Sequence, residues 1–180
     1  YYTIEERTEA DGSKTKYAVV TDTSINKNDF TETGDQEIVI PSTISVSGEV
    51  IPVTEIGADA FHLCKKITKI TIPQGVTSIG DCAFLYCTKL TEITLPDGLK
   101  SIGASAFKGC KNITNISLPQ SLTGIGSAAF AECGGLTAVV LPQGITSVPF
   151  GGFSKCSGLI SVTIPEGVTE IENTAFSECT

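Results

Sequence analysis

The chain has 180 residues, a formal net charge of −8 and a single histidine, His62. That length suits one domain, and an acidic chain without a Lys/Arg run repels phosphate backbones, which argues against a nucleic-acid partner. Apolar stretches are only a few residues long, so no segment is expected to span a membrane. The absence of methionine reads as a mature or trimmed fragment, from which any signal peptide has gone with the original N-terminus.

Residues 1–36 show no internal period. Ile4 and Tyr17-Ala18-Val19-Val20 flank Asp11-Gly12, a hairpin signal, and the segment reads as an N-terminal β-rich cap. A stacked repeat protein needs such a cap, because an end repeat would otherwise expose its apolar face. Asp22, Asn26, Asn28 and Asp29 are oxygen-bearing and close in sequence. They lack the glycine and terminal glutamate of a calcium loop and read as a solvated loop.

From residue 37 a period of 23 organises everything. Cys64, Cys87, Cys110, Cys133, Cys156 and Cys179 are each 23 apart, as are Phe61, Phe84, Phe107, Phe130, Phe153 and Phe176, and as are Pro73, Pro96, Pro119, Pro142 and Pro165. A fixed period shared by three residue types is the signature of a solenoid. Residues 37–66 form an atypical first repeat. Here Ile38, Ile40 and Pro41 supply the first half, and Val53, Ile56, Ala60, Phe61 and Cys64 the second. Nine additional residues around Ser45 to Pro52 separate the halves and are expected to bulge from the stack. The regular repeats are then 67–89, 90–112, 113–135, 136–158 and 159–180, giving a single structural domain over 37–180 beneath its cap.

Within the second regular copy, Ile93-x-Leu95 alternates as a half-buried strand does. Pro96 lacks an N–H and ends the ladder, and Asp97-Gly98 turns the chain. Leu99 and Ile102 point inward from a second extended segment. Ala106, Phe107 and Cys110 have the i, i+1, i+4 spacing of a helical turn with one face buried. The reading is a solenoid of short parallel strands and short helical or 3-10 turns.

The pattern L-x-x-I-x-L-P…I-G-x-x-A-F-x-x-C resembles the BspA-like subclass of leucine-rich repeats over residues 37 to 180, about four fifths of the chain, and Ala-Phe-x-x-Cys makes the resemblance specific. It implies a right-handed leucine-rich-repeat coil, and a secreted or surface-attached protein of anaerobic gut or oral bacteria associated with adhesion to host proteins or other cells. It implies no catalytic residues. The sequence departs from the pattern at Ser121 (in place of Gly), at Pro149 and Gly152 (in place of Gly and Ala) and at the additional Cys82.

Residues that could carry chemistry have simpler readings. A row of cysteines, one per layer and without histidine, does not converge on a point as a metal site must; the ladder reads as small buried apolar residues. Their spacing predicts free thiols, because equivalent positions about 4.8 Å apart point the same way. Cys82 and Cys87 are the one pair close in sequence that leaves a disulfide open. His62 lacks a nucleophile and an orienting partner and reads as a turn residue. Glu166, Glu170 and Glu172 read as solvated edges. No cofactor is implied, and the chain is expected not to be an enzyme.

Two functions remain. One is a binding module for a protein or glycan partner, since stacked repeats present a long surface without a deep pocket. The other is a spacer within a larger surface protein. Contacts would fall where repeats differ: Ser47, Glu49 and Val50 in the insertion, Lys69, Glu92 and Asn115 on the outward row of the first strand, and Phe150. Phe150 replaces Asp81, Ala104, Ser127 and Asn173 of the other copies and either packs beside Pro149 or stands exposed as a contact. Ala138 and Ser161 continue the first outward row; Thr71, Thr94, Ser117, Val140 and Thr163 make a second. Val162, Ile164, Val168 and Ile171 are expected to line an apolar last layer through which the chain continues or self-associates.

Overall fold

A computed structural model describes residues 1–10, 13–21 and 36–180; Asp11-Gly12 and the Asp22–Asp29 cluster fall outside the described residues. The strands are β1 (Tyr2–Thr8), β2 (Lys14–Val20), β3 (Gln36–Val39), β4 (Thr43–Val46), β5 (Glu49–Ile56), β6 (Ile67–Thr71), β7 (Ser78–Ile79), β8 (Glu92–Thr94), β9 (Ser101–Ile102), β10 (Gly124–Ile125), β11 (Ala138–Val140), β12 (Ser147–Val148), β13 (Ser161–Thr163) and β14 (Glu170–Ile171). They are short because each turn of a solenoid offers only a few residues to each side.

Two parallel ladders run along the stack. The first joins β3, β6 and β8, and resumes with β11 and β13. The second joins β2, β5, β7, β9 and β10, and resumes with β12 and β14. The N-terminal segment folds as the expected hairpin, β1 against β2, and β2 extends the second ladder by pairing with β5. Ala18, Val19 and Val20 are buried there, which closes the first turn of the core.

The third side departs from the expected helical turn. It contains no helix and is built from successive tight turns. Alternate N–H groups bond within a layer, as Cys110 N–H does to the Phe107 carbonyl (3.1 Å), and to the next layer, as Phe107 N–H does to the Ala129 carbonyl (2.8 Å). Turning outward every second residue requires a left-handed backbone at two positions per repeat. Asp59, Cys82, Ser105, Ala128, Gly151 and Thr174 fill one column, and Leu63, Tyr86, Gly109, Glu132, Lys155 and Glu178 the other, all with φ between 54° and 74°. A buried i, i+1, i+4 pattern fits this geometry as well as it fits a helix, hence the difference.

The glycine that recurs on the second ladder at Gly57, Gly80, Gly103 and Gly126 has another cause. A Cβ on Gly80, Gly103 or Gly126 would lie 2.6, 2.5 or 2.4 Å from a backbone nitrogen of the preceding layer. Its N–H donates to that layer, Gly103 to the Ile79 carbonyl and Gly126 to the Ile102 carbonyl, both at 2.8 Å. At these three positions side-chain-free backbone is what lets the layers approach so closely.

The core is a set of columns. Phe61 to Phe176 stack ring on ring at 5.1 to 5.5 Å between centroids, within 8° of parallel. Beside them five of the six ladder cysteines, all after Cys64, donate the S–H to the phenylalanine carbonyl 26 residues earlier: Cys87 to Phe61 (3.0 Å), Cys110 to Phe84 (3.2 Å), Cys133 to Phe107 (3.2 Å), Cys156 to Phe130 (3.0 Å) and Cys179 to Phe153 (3.0 Å). The sulfur is therefore more than a small apolar filler; it gives a second hydrogen bond to a carbonyl that already accepts a cysteine N–H within its own layer. None of the seven cysteines is joined in a disulfide, Cys82 and Cys87 included. Thiol counting under denaturing, non-reducing conditions is expected to return seven thiols per chain; two or more bridges would contradict this packing.

Candidate interaction surface

The inserted residues form a second hairpin instead of a loose bulge. β4 pairs antiparallel with β5 from Thr43–Pro52 to Val46–Glu49, around Ser47 (φ 52°) and Gly48 (φ 85°). Positive φ at both central residues is the two-residue turn whose twist matches the flanking strands. Ile51 and Val53 are buried while Ser47, Glu49 and Val50 are exposed, so one edge of the insertion is core and its tip is free. Lys16 donates to Glu49 at 2.7 Å, tying the tip to the capping hairpin, and this contact raises the Lys16 pKa.

Lys69 and Glu92 sit side by side on the first ladder, paired with Glu37 in the order Glu37, Lys69, Glu92. Lys69 lies 3.1 Å from Glu92, whose hydrogen bond and charge raise the lysine's pKa, with a smaller contribution from Glu37. Asn115 does not continue their strand. It bridges forward to Ala138 alone, between shallow clefts of about 330 and 230 Å³ that it shares with Ser117. Phe150 lies four layers from the hairpin and is 51% exposed, while Pro149 is buried. Its ring borders a shallow depression of about 210 Å³ with Glu170, Ile171, Glu172 and Asn173, and its N–H donates to the Glu172 carboxylate at 3.2 Å. The structure thus gathers Lys69, Glu92 and Asn115 on one face and leaves the hairpin tip and Phe150 apart.

Along that face the character changes. The outward rows run from Lys69 and Glu92 to Ala138 and Val140, the last 59% exposed, and beside them Ile160 is 87% exposed. Val39, 74% exposed, opens the second row. Ile160 and Val39 were not singled out from sequence. Ile160 stands where Thr68, Thr91, Thr114 and Thr137 hold a threonine column, so its departure from the period was the available signal. His62 is half-buried beside Asp59, 3.5 Å away. Among the described residues no group of histidine, cysteine or carboxylate side chains could hold a metal ion, and no helix is long and apolar enough to cross a membrane.

A stack of parallel-stranded layers with one phenylalanine–cysteine column defines a leucine-rich-repeat solenoid. Residues 54–180 match the BspA type leucine rich repeat region in six copies, and the chain belongs to that family. It is similar to a leucine rich cell surface protein from Faecalibacterium prausnitzii A2-165 (34% identity, TM-score 0.79, covering 98% of this chain and 46% of that one). It is also similar to a leucine-rich repeat protein from Bacteroides ovatus ATCC 8483 (31% identity, TM-score 0.81, 99% and 43%) and to the leucine-rich repeat protein of T. pallidum (28% identity, TM-score 0.69, 93% and 83%). The chain thus spans less than half the length of the first two. No functionally curated protein matches it. Proteins of this family are typically bacterial surface proteins, and leucine-rich repeats generally serve as binding scaffolds without catalysis.

Proposed function

We propose that the chain is a non-enzymatic binding module, secreted or displayed on a bacterial surface, that adheres to a protein or glycan partner. The observation that carries this is the outer face of the first ladder. Its side chains take no part in the core, they differ from layer to layer, and they pass from a charged end at Lys69 and Glu92 to an apolar end at Val140 and Ile160. Asn115 lies between the two ends, and the hairpin tip (Ser47, Glu49, Val50) and Phe150 are additional candidate contacts. Self-association belongs to the same proposal, through Ile164 and Ile171, 39% and 55% exposed on the last layer.

One layer offers little binding area, and the first-ladder face lacks the aromatic anchors that dominate tight interfaces. Affinity per module is expected to be modest and to gain from many copies on a surface. The test screens the chain against immobilised host matrix proteins and a panel of oligosaccharides. Two variants then follow, Lys69→Ser with Glu92→Ser, and Val140→Ser with Ile160→Ser. A tenfold or greater loss of binding in either, with an unchanged melting temperature, is the expected result. Binding unaffected by both places the contact elsewhere. If the screen finds no ligand, the spacer reading replaces this one; the small, polar side chains in most of the row favour it.

A further inference from the structure

The three sides of the solenoid are not equally continuous. On the turn side every junction from Phe61 onward is bonded: Phe84 to Ala106, Phe107 to Ala129, Phe130 to Gly152 and Phe153 to Ala175, all at 2.7 to 2.9 Å. The first ladder is interrupted before residues 113–135 and keeps only the Asn115–Ala138 bridge and the Thr137-to-Thr114 bond after them, where the second ladder is interrupted. On the first ladder Ile40 N–H bonds the Thr71 carbonyl, Ile72 the Thr94 carbonyl and Leu141 the Thr163 carbonyl, but the equivalent bonds from Leu95 to Ser117 and from Leu118 to Val140 are not formed. Likewise Thr91 N–H bonds Thr68 and Thr137 N–H bonds Thr114, while Thr114 makes no bond to Thr91. On the second ladder Gly80, Gly103, Gly126 and Glu172 each donate an N–H to the preceding layer. The residue in that column between Gly126 and Glu172 is Pro149, which has no N–H to give, and β10 does not pair with β12.

We propose that the third regular repeat, residues 113–135, is a built-in joint. It is open to the repeat before it on one ladder and to the repeat after it on the other, and it is hinged to both along the turn side and the phenylalanine column. In a protein whose layers contact only their neighbours, stability is a sum of layer and junction contributions. A junction that lacks a ladder is where the stack bends and where it parts first under load. Each opening has a sequence cause: Pro149 removes the donor and puts a ring where glycine allows close approach, and Asn115 brings a poor strand former to the other gap.

The full chain, tethered at its two termini, is pulled in an optical trap, and hydrogen exchange is followed on the free protein. The expected trace has two ruptures, the first releasing residues 136–180 and the second the rest. The expected exchange shows the amides of Leu141, Phe153 and Lys155 opening together, at least tenfold faster than those of Ile72 and Phe84. Pro149→Gly, which restores the donor, should merge the two ruptures or raise the force of the first, and should slow exchange beyond the joint at least threefold. Pro149→Ala supplies the same N–H if the glycine variant does not fold. A single rupture in the natural chain, equal protection on both sides, or faster exchange confined to the last layer and unmoved by either variant would overturn the proposal.

Discussion

Replacing Phe107 by alanine is expected to destabilise the protein by about 3–5 kcal/mol, the range for deleting a buried aromatic ring. Phe107 is fully buried and stacked on both faces, 5.1 Å from Phe84 and 5.4 Å from Phe130. Its loss removes two ring contacts and the apolar burial of the side chain, and leaves a cavity that the layers cannot close. The backbone on either side is fixed by the Phe84-to-Ala106 and Phe107-to-Ala129 hydrogen bonds, so collapse would cost these turn-side bonds as well. Phe176 offers the internal comparison. It is half-buried and stacked on one face only, against Phe153 at 5.5 Å, and Phe176→Ala should cost less than half as much. Urea unfolding of both variants reads the difference. A Phe107→Ala cost below about 1 kcal/mol would mean that the column is not the core.

The same column shows how much of the fold is legible in sequence. One layer's buried positions lie on top of the next, so each column repeats one residue type and the period of 23 declares itself. The turn side is legible in place but not in kind. Its two left-handed columns hold Asp, Cys, Ser, Ala, Gly and Thr in one and Leu, Tyr, Gly, Glu, Lys and Glu in the other, so no residue type marks the backbone conformation. With that signal missing, the spacing of Ala106, Phe107 and Cys110 fits a helix equally well. The insertion carried a turn signal in Ser47-Gly48, yet a count of additional residues does not reveal that half of them stay in the ladder. Pro149 was visible as a departure. What it does to its neighbour follows only once the glycine column is known to donate an N–H across the layers. For the surface, alternation located the outward row, but which of its members lose their ladder, as Asn115 does, depends on pairing that no single strand encodes.

The cysteine column leads to the second large effect, a loss of stability in alkali. Burial raises the thiol pKa throughout: to about 12 at Cys87, where the neighbouring Cys64 adds a smaller upward push, and to about 12 at Cys156. Burial also raises Cys110 and Cys133, with adjacent thiols reinforcing it. An acid whose folded pKa lies above its unfolded value keeps its proton longer in the native state. The stabilisation is therefore fully present below the unfolded pKa of about 8.5 and is lost as pH climbs from there toward 12. Each such thiol removes about 1.4 kcal/mol per pH unit in that window, so by pH 10 four of them together remove on the order of 8 kcal/mol, comparable with the whole stability of a domain. The chain is expected to unfold cooperatively at or below about pH 10. Serine offers the control, because its hydroxyl can donate to the same Phe84 and Phe107 carbonyls without titrating in this range. In the Cys110→Ser, Cys133→Ser double variant the slope of unfolding free energy against pH should fall by about half, and the alkaline midpoint should move up. Circular dichroism of both proteins from pH 7 to 11, in the presence of reductant, measures it. An unchanged slope in the variant would mean that the buried thiols are not what alkali acts on.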